Sequence, residues 1–90
     1  MYNLKVATSA ERDIRKLRQR ASGRDSERLR RAIASLADEP RPQGVKKIRG
    51  AEQAYRIRVG SYRVVYDVYD HENLVLLLQV ARRTETTYRP

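Results

Sequence analysis

Apolar and polar positions alternate along the start of the chain, with Tyr2, Leu4 and Val6 on one side and Asn3, Lys5 and Ala7 on the other. A period of two predicts a half-buried strand over Tyr2 to Ala7. The period then lengthens. "TSAE" offers a capping box, in which Thr8 accepts from the backbone N–H of Glu11 while the Glu11 side chain reaches back. Ala10, Ile14, Leu17 and Ala21 follow as one apolar stripe of a helix that Ser22 and Gly23 stop. A second helix begins at Asp25 or Ser26, with Leu29, Ala32, Ile33, Leu36 and Ala37 as its stripe and arginines over the rest. "EPRPQG" ends it, because Pro40 and Pro42 cannot continue a helix and Gly44 suits a turn.

In the second half the period returns to two. Tyr55 to Val59, Tyr62 to Tyr69 and Leu74 to Ala81 are rich in β-branched and aromatic residues, and "GS" and "DHEN" turn signals divide them. The two helices cannot bury both their stripes alone and need a sheet to lie on. The expected fold is α+β, with element order β-α-α-β-β-β: a helical hairpin on one face of a mainly antiparallel four-stranded sheet, residues 1–90 forming a single domain.

The register of the first hairpin follows from its turn. With Gly60 and Ser61 as the central residues of a type II′ turn, Val59 faces Tyr62, Arg58 faces Arg63, Ile57 faces Val64 and Tyr55 faces Tyr66. Directly opposed residues share a face. Tyr55, Ile57, Val59, Tyr62, Val64 and Tyr66 therefore point to the helices, and Arg56, Arg58 and Arg63 to the other side, together with Asp67, which is expected to pair with Arg56 or another arginine. "LVLLLQVA" is apolar on both faces, so its period does not fix its register. One reading puts Leu74, Leu76, Leu78 and Val80 in the core, delivers Ala81 and Arg83 to the arginine face, and requires a bulge or odd-length turn between residues 70 and 73.

Like charges opposed across a ladder repel by a few tenths to about 1 kcal/mol, so a face of arginines is either simply solvated or shaped for an anion. The composition bears on that choice. Twenty Lys and Arg against 11 Asp and Glu leave a net charge of +9, which points to a polyanion such as nucleic acid or the ribosome. No apolar run is long enough to span a membrane, and "MYNLKVATSAERD" lacks the basic start and apolar middle of a signal peptide. The absence of cysteine fits a reducing cytoplasm. There is no metal-ligand spacing, glycine-rich phosphate loop or Ser/His/Asp arrangement, and no cofactor is implied. The single histidine, His71, sits in the "DHEN" turn, where a solvated turn residue is expected.

"KKIRGAEQAYRIRVGSYRVVYDV", followed by an apolar strand, "ARR" and a late tyrosine, resembles the RelE/ParE superfamily of bacterial type II toxins. The resemblance implies the same strand, helix, helix, three-strand order and two branches of function. RelE-like members are endoribonucleases that cut mRNA in the ribosomal A site, and ParE-like members poison DNA gyrase. In the RelE branch, catalysis is attributed to two basic residues before the hairpin turn, an arginine just after it, an arginine after the last strand and a tyrosine near the C-terminus. The matching positions are Arg56, Arg58, Arg63, Arg83 and Tyr88.

On this reading the chain is a metal-independent, ribosome-dependent mRNA endonuclease of the cytoplasm, held in check by a cognate RelB-like antitoxin. The alternatives are a gyrase poison on the same fold and a nucleic-acid-binding module without catalysis. Arg63 and Arg83 are the expected stabilisers of transition-state charge, with Arg58 beside them and Tyr88 as base or proton shuttle. Arg56, Lys46, Lys47 and Arg49 are the expected holders of the RNA backbone. The chain departs from the family in carrying Arg56 and Arg58 where other members have lysines, since an arginine is far harder to deprotonate.

Overall fold

The structure is a computed structural model and describes residues 1–83. Its elements follow the expected order with one addition: β1 (Asn3–Val6), α1 (Thr8–Arg20), α2 (Gly23–Ser35), β2 (Lys46–Lys47), β3 (Ala54–Val59), β4 (Tyr62–Tyr69) and β5 (Leu74–Arg82). The sheet has five strands in the order β1-β5-β4-β3-β2, not four. The additional strand is two lysines that pair antiparallel with Arg56 and Tyr55 at the sheet edge. The β3–β4–β5 meander is antiparallel and β1 joins β5 in parallel.

The helices cover one face. Ala10 of α1, Leu29 of α2 and Leu36 just beyond it bury against Ile57, Val59, Tyr62, Val64, Tyr66, Val68, Val75, Leu77 and Val80 of the sheet. Ile14, Leu17, Ala32 and Ile33 complete the helix stripes at its margin. Both helix starts differ from expectation. Thr8 is the first residue of α1 and makes no cap, because Ala7 is still tied to the sheet through its N–H to the Leu77 carbonyl at 2.9 Å and itself occupies the capping position. The α2 helix starts at Gly23, earlier than expected, because the Ser22 hydroxyl accepts from the Asp25 N–H at 3.1 Å.

The β3–β4 register is the one the turn predicts, from Val59 opposite Tyr62 to Tyr55 opposite Tyr66. Gly60 has φ +61°, as the first central residue of a type II′ turn requires. The strand β5 keeps Val80 in the core, as expected, but corrects Leu74, Leu76 and Leu78, which are only half-buried. A bulge lies inside the strand: Val65 faces Gln79, Tyr66 faces Leu77, and Leu78 is left between. Val75 and Leu77 are buried before the bulge and Val80 after it, so the buried parity changes within one strand. Side chains of α1 satisfy the backbone there, with the Ser9 hydroxyl donating to the Leu78 carbonyl at 2.8 Å and the Val80 N–H donating to Asp13 Oδ2 at 2.9 Å.

The connection from α2 to β2 is held by tyrosines. The buried Tyr66 hydroxyl, pushed up to about 12 by burial, donates to the Pro40 carbonyl at 2.7 Å. The Arg41 guanidinium lies 5.2 Å from the centre of the Tyr55 ring, which itself stacks on Tyr66. Arg41 also donates to Asp70 at 2.9 and 3.3 Å, and the Tyr2 hydroxyl donates to the same carboxylate at 2.6 Å. Arg41 first, then Tyr2, hold the Asp70 carboxyl below its ordinary value of 3.8. Since the folded pKa lies below the unfolded one, this contribution is present above that ordinary value and is lost as pH falls through the folded pKa. Asp70→Asn is therefore expected to lower the melting temperature at neutral pH and flatten its decline in acid. Parallel acid limbs in parent and variant would refute the assignment.

Candidate RNA-cleaving cleft

On the face away from the helices the strands set their arginines by parity. Arg56 and Arg58 alternate with Ile57 and Val59 along β3, and Arg63 stands directly opposite Arg58 on β4. Next to Arg63, on β5, is Ala81, whose small side chain adds no bulk. Arg83 follows the strand, its N–H donating to the Ser61 carbonyl at 2.7 Å, which ties it to the hairpin turn. At the other edge Lys46 is the cross-strand partner of Arg56 and so shares its face. The connection reaches Lys46 through Gly44, whose φ of +90° demands glycine.

These residues line one open cleft of about 590 Å³, bounded by Gly44, Lys46, Arg56, Ile57, Arg58, Arg63 and Arg83. No carboxylate lines it among the described residues. Four guanidiniums and an ammonium line the cleft together, and each guanidinium can present two parallel donors to a phosphate. Arg58 and Arg63 are cross-strand neighbours of like sign, and an anion bound between them would offset their repulsion.

The cleft gathers Arg56, Arg58, Arg63, Arg83 and Lys46 from the expected set. Lys47 does not join it, because its partner is Tyr55 and its side chain belongs to the opposite face. With Arg49, Lys47 borders a separate shallow hollow around Gly50. Tyr88 lies outside the described residues. Asp67 makes no ion pair with Arg56; it accepts from the Tyr69 hydroxyl at 2.8 Å, which raises the Tyr69 pKa. His71 lies in the β4–β5 turn, at the end of the sheet remote from Gly60 and the cleft.

The family model described as ParE toxin of type II toxin-antitoxin system, parDE, matches residues 4–86. The chain belongs to the ParE toxin family. Relatives and solved structures on the RelE side of the superfamily are similar to it as well. The chain is 27% identical over 59 residues to a Methanocaldococcus jannaschii protein named as toxin RelE1, a match that covers 62% of the chain and 66% of that relative. The isolated Escherichia coli RelE toxin superposes with a TM-score of 0.77 at 24% identity, covering 97% of this chain and 89% of that one. The toxin in the intact E. coli RelBE toxin-antitoxin complex does so with a TM-score of 0.74 at 26% identity, covering 91% and 96%. This member of the ParE toxin family thus has the RelE/ParE toxin fold, with its basic cleft on the sheet face opposite the helices. No helix among the described residues is long and apolar enough to cross a membrane.

Proposed function

We propose that the chain is a ribosome-dependent endoribonuclease toxin that cleaves mRNA without a metal ion. The observation that carries this reading is the convergence of Lys46, Arg56, Arg58, Arg63 and Arg83 in one cleft. In the reaction the 2′-oxygen of the message attacks the adjacent phosphorus and the bond to the 5′-oxygen breaks. The products are a 2′,3′-cyclic phosphate and a free 5′-hydroxyl. The five-coordinate transition state carries more negative charge than the substrate, and guanidiniums already oriented toward the non-bridging oxygens stabilise the difference. Arg63 and Arg83 have this role, with Arg58 beside them. Arg56 holds the RNA backbone, and Tyr88 takes the proton of the 2′-hydroxyl.

A site this poor in proton-transfer groups depends on the ribosome to hold the message in a reactive geometry. Primer extension on ribosome-bound mRNA is the direct test: cuts inside the A-site codon are expected, and their absence from an active toxin refutes the reading. The ParE description of the matching family favours a second reading, a gyrase poison on the same fold. Inhibited DNA supercoiling with intact mRNA would select it. The E. coli relative solved as RelBE supports a RelB-like antitoxin as partner, and an acidic segment laid over the cleft would silence it.

Affinity for single-stranded RNA is expected to fall steeply with salt, by about −0.7 in log–log slope for each phosphate neutralised. Lys47→Ala, away from the cleft, should leave that slope in place, and Arg56→Ala should reduce it. Fluorescence anisotropy across a salt series measures both. Binding indifferent to salt would contradict a phosphate-holding cleft.

A further inference from the structure

The cleft has a gap in its chemistry that β2 fills. Of the charged groups that line it among the described residues, four are guanidiniums, which do not give up a proton in proteins. The fifth is Lys46, whose ammonium can. Resting on the ribonuclease reading above, we propose that Lys46 is the general acid that protonates the leaving 5′-oxygen.

Three features of the structure place it there. The pairing of Lys46 with Arg56 fixes its face, so its side chain shares the cleft with the arginines, whereas Lys47 one residue on does not. Its backbone is held from behind by a buried anchor, because Tyr66 and Arg41 tie down the connection leading into β2. Its position also suits an in-line displacement, in which the attacking and leaving oxygens lie on opposite sides of phosphorus. The proton donor and acceptor must then come from opposite walls. Lys46 stands on the β2 wall, separated by β3 and β4 from Arg83 at the end of β5.

As the bond from phosphorus to the 5′-oxygen breaks, a proton passes from Lys46 Nζ to that oxygen. The proton of the 2′-hydroxyl goes to the general base, the part proposed for Tyr88. Solvent then returns one proton to Lys46 and accepts one from the base, which balances the step.

The test compares Lys46→Arg and Lys46→Ala with the parent in single-turnover cleavage of ribosome-bound mRNA, on two substrates. One is the natural phosphodiester. The other carries sulfur in place of the bridging 5′-oxygen, a leaving group that departs without a proton. Lys46→Arg keeps the charge, so RNA affinity and its salt slope are expected to stay near the parent's while the rate on the natural substrate falls by about a hundredfold or more, the scale of a lost general acid. Both variants are expected to recover to near the parental rate on the sulfur substrate. A Lys46→Arg protein that cuts the natural message at the parental rate overturns the proposal. So does an equal loss on the two substrates, which would make Lys46 a positioning residue. A parent that cuts neither substrate removes the ribonuclease reading itself, a failure distinct from these two.

Discussion

Arg63→Ala and Arg83→Ala each slow single-turnover cleavage of ribosome-bound mRNA by about a hundredfold or more, the scale of losing one preorganised donor to a developing negative charge. Binding falls far less, because Lys46, Arg56 and Arg58 remain in the cleft. The distinction rests on where the charge grows: a guanidinium that meets the non-bridging oxygens is worth more in the transition state than in the ground state. Arg56→Ala provides the contrast, since a residue that only holds phosphate loses affinity and salt dependence before rate. If Arg63→Ala and Arg83→Ala both stay fully toxic and cut at the parental rate, the ribonuclease assignment fails at its centre.

Leu77→Ala destabilises the fold by about 2–5 kcal/mol, the range for truncating a fully buried leucine. Leu77 has no exposed surface and lies beside the bulge, where β5 meets β4 at Tyr66 and the β1–α1 junction through Ala7. A domain of this size has only about 5–15 kcal/mol in total, so the loss should move the melting temperature by roughly 10 °C or more. Leu76→Ala and Leu78→Ala, at half-buried positions, should cost clearly less. Urea unfolding of the three variants decides between the two parities of β5. A Leu76 or Leu78 variant weaker than the Leu77 variant would contradict the bulged register.

The parts of this fold that could be read from the sequence are those fixed locally. A two-residue turn determines every pairing between β3 and β4, so the face of each arginine there follows from Gly60 and Ser61 alone. The helix stripes were legible because their spacing suits only one periodicity. In β5 the apolar residues suit both faces, and the choice is made by α1, whose Ser9 and Asp13 meet the backbone at the bulge. Position Lys46 belongs to the same class. Two adjacent lysines carry no strand signal, and the connection leading to them is anchored by residues further along the chain, Tyr66 on the Pro40 carbonyl and Tyr55 on Arg41. The sequence therefore named Lys46 as an RNA contact without revealing that it stands among the arginines, and it grouped Lys47 and Arg49 with it although they face elsewhere.

The bulge at Leu78 decides which of two neighbouring arginines reaches the cleft. With it, Ala81 lies beside Arg63 and Arg83 lines the cleft, while Arg82 stands opposite Tyr62 on the other face. Deleting the extra residue, Leu78, would restore a continuous alternation and leave Val80, Ala81 and Arg82 opposite the partners they already have. The guanidinium arriving at the cleft would still be that of Arg83. The bulge thus lets this corner absorb the loss of one codon, which in a regular strand would turn every later side chain to the wrong face: the cleft would keep its cation while the strand above it shortened.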